Sequence, residues 1–265
     1  MNRKFKGFAL LVVIFLILTA CNPSTPTTTE PPAEITEPEP AAPSEPEESA
    51  PAEEPAEEPA EEPAPVPTAT PESQYFRDDF TDNIQPGWEW QDENPDKWSI
   101  TPDGWLEIVG EADSLLGNER QNNLLWYQLP DGDFVITAHL KATPFENFHQ
   151  ATIYIYEDPE NYIAINRGYC DICEPANGGG IFMEYKIDSA WGAYQKGTDV
   201  EDVYLRLESS NDMISGYYAF EEDQWERLGR FGNYFEFSRV GIGVSNVNAA
   251  DDVIGLFDYF EITVP

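Results

Sequence analysis

The sequence predicts an all-β domain, a two-sheet antiparallel sandwich, carried behind an export signal and a charged proline-rich stalk. Two observations carry the fold class. Apolar and polar residues alternate with period two in nine short segments between residues 104 and 264, and no helical period runs beyond two turns. Turn formers separate these segments: Asp131-Gly132, Asp158-Pro159, Gly178-Gly179-Gly180 and Ser209-Ser210-Asn211-Asp212. Many short strands rich in β-branched and aromatic residues, with turns at this spacing, build sandwiches or barrels.

The first element is the N-terminus. Arg3, Lys4 and Lys6 form a positive region, an apolar run follows from Phe8 to Leu18, and the stretch ends Leu18-Thr19-Ala20-Cys21. The run is too short to span a bilayer and has the length of a signal-peptide core. Its ending resembles the lipobox of bacterial lipoproteins. The resemblance implies cleavage after residue 20, diacylation of Cys21 and residence outside the cytoplasm, lipid-anchored to a membrane of the envelope or cell surface. Two acyl chains are what stable anchoring requires. A plain secretory signal or an uncleaved anchor is the alternative.

The second element, residues 21–74, has a different composition. It holds 15 of the 23 prolines and 14 glutamates, with no Lys, Arg or aromatic residue, and repeats the unit EEPA. Such a segment cannot bury enough apolar surface to offset its ordering entropy, so a disordered, extended stalk is expected. At roughly 3.1 Å per residue it would reach as far as ~160 Å. A ligand tract for a proline-binding partner is the other reading.

Residues 75–265 are long enough for one domain with a real core. They carry a net charge of −25, 11 basic against 36 acidic residues. That balance excludes nucleic acid and docking on anionic lipid through the domain, and leaves the anchor as the membrane contact. A monomer is expected.

The strand candidates follow in order: 104–110, 133–143, 151–158, 162–169, 180–187, 202–209, 212–220, 239–246 and 255–264. Successive side chains of a strand point to opposite faces. Ala151, Ile153 and Ile155 oppose Thr152, Tyr154 and Tyr156. Ile163 and Ile165 oppose Tyr162, Ala164 and Asn166. Ile181, Met183, Tyr185 and Ile187 oppose Phe182, Glu184 and Lys186. Val203, Leu205 and Leu207 oppose Tyr204, Arg206 and Glu208. If these four strands are neighbours in one sheet, its second face is a broad polar and aromatic surface. A solvated antiparallel face alternates in the same way.

The order of several motifs carries a resemblance. Asp78-Asp79-Phe80, Gly87-Trp88, Gly104-Trp105-Leu106-Glu107-Ile108, the stretch from Tyr218 to Gly229, Val240 to Asn246 (VGIGVSN) and Phe257-Asp258-Tyr259-Phe260-Glu261-Ile262 succeed one another across 75–265. In this order they resemble the concanavalin A-like jelly-roll sandwiches, especially accessory domains of glycoside hydrolases and surface lipoproteins. The resemblance implies a jelly roll whose concave face and bordering loops hold sugars. On that basis Tyr154, Tyr156, Asn166, Glu184, Lys186, Tyr204 and Arg206 are expected to face a carbohydrate, with Trp191 and Tyr194 supplied from a loop. Trp88 and Trp90 are also placed in a loop, while Trp98, Trp105 and Trp225 fall inside the family-like patterns and are expected in the core. The resemblance further implies a structural calcium held by Asp79 and Asp258 where the two ends of the domain meet, the alternative being that both cap turns.

Nothing in the sequence composes a catalytic centre. Retaining sandwich glycosidases need two carboxyls about 5–5.5 Å apart, and laminarinase-like members place them in E-x-D-x-x-E on one strand. The nearest stretch, Glu184 to Asp188, has the wrong spacing; Glu184 facing Glu208 across strands is the remaining possibility. His139 and His149 have no companion nucleophile motif, and His139 falls in a strand pattern and is expected to be structural.

The pair Cys170-x-x-Cys173 lacks the other two ligands of a zinc site and enters a glycine-rich loop rather than a helix. Outside the cytoplasm such thiols oxidise, so a local disulfide is expected, with free thiols as the alternative. The reading is therefore a non-catalytic module that captures polysaccharide near the cell, with a protein-interaction or structural envelope domain, and then a divergent glycoside hydrolase, as alternatives.

Overall fold

A computed structural model describes residues 73–112, 121–188, 190–233, 236–247 and 251–265. The expected signal peptide, the expected lipidation site Cys21 and the expected stalk to residue 72 lie outside the described residues. Fifteen strands form: β1 (Ser73–Asp78), β2 (Glu89–Gln91), β3 (Trp98–Ile100), β4 (Leu106–Gly110), β5 (Leu124–Gln128), β6 (Phe134–Ala142), β7 (His149–Asp158), β8 (Asn161–Cys170), β9 (Gly178–Ile187), β10 (Ala190–Gly197), β11 (Asp202–Ser210), β12 (Met213–Ala219), β13 (Glu226–Gly232), β14 (Arg239–Asn246) and β15 (Val253–Val264). No helix occurs among the described residues.

The strands make two antiparallel sheets. One has seven strands in the order β10-β9-β8-β7-β14-β5-β2; the other has eight, β13-β12-β11-β6-β15-β4-β3, with β1 also on β15. β15 is long enough to serve three neighbours. β6 covers one side, while β4 pairs with its first half and β1 with its second.

The alternation read from the sequence sets the core. Ala151, Ile153, Ile155, Ile163, Ile165, Ile181 and Met183 of the seven-stranded sheet meet Ile136, Leu140, Leu205, Leu207, Phe257 and Phe260 of the eight-stranded one, all buried in one cluster. Full burial of such side chains stabilises by about 1.5–3 kcal/mol each. The turns are chemically explained. Asn211 and Asp212 both take positive φ, 52° and 57°, between the paired Ser210 and Met213, the geometry of a type I′ hairpin. At β7–β8 the Asp158 carboxylate accepts the Glu160 N–H at 2.8 Å.

Two expectations change. The glycine run 178–180 is not a turn; it opens β9, and Gly180 lies flat against Gly168. The strand at 202–209 is not a neighbour of the other three. β11 pairs with β6 and β12 in the eight-stranded sheet, so Tyr204 and Arg206 stand on that sheet's outer face.

The motif beginning Asp78-Asp79-Phe80 has a structural purpose. Asp78 is buried and accepts three bonds: Phe80 N–H at 2.9 Å, Gln85 N–H at 2.8 Å and the Trp88 indole N–H at 2.9 Å. One carboxylate thus ties the chain after β1 to Trp88, whose ring packs on Phe260 of β15.

Candidate ligand-binding face

The outer face of the seven-stranded sheet is a grid fixed by strand register. One row runs Trp126, Gly241, Tyr154, Ala164, Glu184, Ala193 from β5 to β10. On one side of it lies Arg239, Tyr156, Tyr162, Lys186, Trp191; on the other, Gly243, Thr152, Asn166, Phe182, Gln195. Six of the nine predicted ligand residues share this face: Tyr154, Tyr156, Asn166, Glu184, Lys186 and Trp191. Tyr204 and Arg206 belong to the other sheet. Trp191 and Tyr194 are both in β10, not in a loop; Tyr194 packs on Phe231 of β13 at 5.0 Å, closing the edge between the sheets.

The glycines of VGIGVSN shape one end. A Cβ on Gly241 would come within 2.3 Å of the Trp126 ring, and one on Gly243 within 2.6 Å of Leu124 and 2.8 Å of Gln121 Nε2. Without side chains there, Trp126 lies across β14 beside Tyr156, with the Arg239 guanidinium 4.8 and 4.6 Å from the two ring centres. Trp126 donates its indole N–H to Gln91, and the Tyr154 hydroxyl donates to Gln121 Oε1 at 2.8 Å.

Several buried polar atoms on and beside this face have no hydrogen-bond partner: Gln121 Nε2, Thr152 Oγ1, the Tyr162 hydroxyl, both amide atoms of Asn166, and Gln195 Oε1. Buried polar groups are normally paired, and leaving one unpaired costs on the order of 1–3 kcal/mol. Glu184, 7% exposed, is the buried carboxylate of the face among the described residues. Burial pushes its carboxyl up to about 7, against the amides of Asn166 and Gln150, which favour the charged form. Gln150 donates to it at 3.0 Å, while Asn166 lies close without a well-aligned bond. Burial also raises the Tyr162 hydroxyl. Lys186 is held by Glu160 at 2.8 Å.

At the β10 end a small pocket opens, lined by Phe148, Tyr169, Phe182, Glu184, Trp191 and Gln195 and walled by the Cys170–Cys173 disulfide. Trp191 stands half-exposed at its rim. Sequence reasoning missed Gln121, Trp126, Gln150 and Arg239 as members of this face. The signal for Trp126 and Gln121 was the paired glycines of β14, which make room for neighbours from β5.

Of the other tryptophans, Trp98 is in the core as expected, and the rest sort differently. Trp88, Trp90 and Trp98 all pack on the core. Trp105 and Trp225 do not; they lie on the outer face of the eight-stranded sheet beneath Lys141 and Arg206. His139 on the same face bridges Asp202 at 2.6 Å and Asp258 at 2.9 Å and stacks on Tyr204.

The expected calcium does not fit the residues present. Calcium takes six to eight oxygens. Asp79 is bound to Arg77 at 2.6 Å and Asp258 to His139, and no group of three or more His, Cys, Asp or Glu side chains assembles for an ion among the described residues.

Comparison with known proteins gives the family. The model of the beta xylosidase C-terminal concanavalin A-like domain matches residues 77–263. The fold is similar to part of the GH43 protein BlXynB from Bacillus licheniformis, with 18% identity, a TM-score of 0.63, and coverage of 72% of this chain and 39% of that one. It is also similar to a xylan beta-1,4-xylosidase from Bacillus halodurans, with 18% identity, a TM-score of 0.60, and coverage of 75% and 41%. A beta-glucanase from Bacillus licheniformis matches over its whole length and 75% of this chain, at 11% identity and a TM-score of 0.52. The chain thus spans about two fifths of the length of the xylosidases it resembles. No curated protein matches the sequence. From Asp78 and its staple to the closing β15, the domain belongs to the family of β-xylosidase C-terminal concanavalin A-like domains.

Proposed function

We propose that this chain is a non-catalytic carbohydrate-binding module, anchored outside the cytoplasm through Cys21, that holds polysaccharide on the outer face of its seven-stranded sheet. The observation that carries the reading is the concentration of unpartnered buried polar atoms among aromatic rings on that one face. Hydroxyl-rich ligands supply the missing bonds: Asn166 offers a donor and acceptor together, Thr152 and Tyr162 offer hydroxyls, and Glu184 accepts. Trp191, half-exposed at the β10 end, offers its ring face to the apolar side of a pyranose, and the buried rings of Tyr154, Tyr156 and Trp126 form the floor beside it.

A single buried carboxyl on this face among the described residues supports binding rather than hydrolysis, because glycoside hydrolysis generally takes two. Glu208, the partner considered for Glu184, is on β11 in the other sheet.

The test is a glycan-array screen of the full chain. Binding that weakens at least tenfold on Trp191→Ala, with thermal stability unchanged, supports the module, since Trp191 is half-exposed and outside the core. Silence across a broad array from folded protein overturns it.

A further inference from the structure

The pocket beside Trp191 has a chemistry narrower than the rest of the face. Glu184 is nine-tenths buried, and the one donor it meets with good geometry is the neutral Gln150 amide. Gln195 gives its amide N–H to the Glu174 carbonyl, so the atom it leaves unpartnered and buried is an acceptor, Oε1. Among the described residues, no Lys or Arg lines the pocket. Glu184 and Gln195 Oε1 thus present acceptors here, one of them a carboxyl, beside the Tyr169 hydroxyl, which can donate or accept. Around them stand four aromatic rings, Phe148, Tyr169, Phe182 and Trp191, which attract cations through their faces.

Size narrows the choice. The pocket encloses about 20 Å³, and one water-sized group needs roughly 10–15 Å³ on that measure. One or two heavy atoms fit; a pyranose ring does not. A hydroxyl brings a single donor for two acceptors, whereas an ammonium brings three donors and the charge that a buried carboxylate lacks. The net charge of −25 on residues 75–265 adds long-range attraction for a cation.

We infer that this pocket receives the protonated primary amine of a hexosamine unit, so that the glycan held on this face carries free amino groups. The inference rests on the carbohydrate-binding reading and names its ligand class. The C–N stem fills the pocket while the sugar ring stays outside, against Trp191. An N-acetyl group fails on both counts: it adds three heavy atoms to a filled space and removes the charge. Burial pushes the Glu184 carboxyl up, and an ammonium bound beside it favours its ionised form.

The test is titration calorimetry of the full chain at pH 7 with three β-1,4-linked tetramers: glucosamine, N-acetylglucosamine and glucose. The expected result is at least tenfold tighter binding of the amine form than of the N-acetyl form, retained in 0.5 M salt, where surface attraction is screened within about 4–5 Å. Glu184→Gln, the same shape without the charge, should bring that ratio close to one, and Gln195→Leu at the sheet edge should lower it several-fold. Equal binding of the tetramers, or a preference that survives both substitutions, overturns the inference. Neutral glycans that bind without an amine preference leave the parent reading standing. Silence of all three tetramers overturns the inference as well, and silence of the whole array overturns the parent reading with it.

Discussion

Gln150 on β7 reaches over β8 to donate its amide N–H to Glu184 on β9 at 3.0 Å. The crossing is possible because Gly168 lies below it: a Cβ there would come within 2.6 Å of Asn166 Oδ1 and 3.2 Å of Gln150 Cγ. Three neighbouring strands thus meet at one buried carboxyl with no positive partner among the described residues, and this has a consequence for stability.

Stability should fall with pH through Glu184. Its folded pKa, about 7, lies above its ordinary value of 4.5, so between these values the folded state holds the proton more tightly than the unfolded one. The contribution is fully present below pH 4.5 and lost as pH rises through 7, an upper limit of ~3 kcal/mol. Wild type and Glu184→Gln, compared by denaturant unfolding, should differ by a constant amount below pH 4.5. The variant should then gain on wild type by up to that limit at pH 8. Parallel curves would refute the assignment.

Asp78→Ala should be among the most damaging single changes outside the apolar core. It leaves three donors, Phe80 N–H, Gln85 N–H and the Trp88 indole, without their acceptor. A loss of at least ~3 kcal/mol is expected from chemical denaturation.

Two glycines with similar clashes should respond differently. A Cβ at Gly241 meets the Trp126 ring at 2.3 Å, and that ring is buried and tied to Gln91. A Cβ at Gly229 meets Tyr194 at 2.2 Å, but Tyr194 is 42% exposed and can swing away. Gly241→Ala should cost ~1–3 kcal/mol and alter tryptophan fluorescence, and Gly229→Ala less than half as much.

The Cys170–Cys173 bond closes a ring of few residues and should add at most ~2 kcal/mol. Cys170→Ser with Cys173→Ser should fold and lower Tm modestly. A larger effect on ligand binding than on Tm would place the bond's role at the pocket wall.

The fold was legible where the pattern was long and two-sided. β7, β8, β9, β11, β14 and β15 alternate over eight or more residues, and their period fixes both existence and facing. β2 and β3 have three residues each, too few for any period, and β10 and β13 at the sheet edges are half-exposed, so their patterns blur. The site was legible within strands but not between them. Tyr204 and Arg206 alternate as Tyr154 and Tyr156 do; only pairing with β6, more than sixty residues earlier, sends them to the other sheet. Trp126 and Gln121 reach the face across β14 by long-range packing that no local period encodes.

The pairing of Ser73 with Val264 has an architectural meaning. The first strand of the domain and the last run side by side, so whatever chain precedes and whatever follows depart from one corner. Both departures belong to the eight-stranded sheet, and the grid of Trp126 to Trp191 belongs to the other. A unit of this kind can be spliced into or appended to a longer polypeptide without threading a connection across its working surface. It should also tolerate circular permutation: joining residue 265 to residue 73 and opening the exposed turn at 221–223 should give a chain that still assembles both sheets.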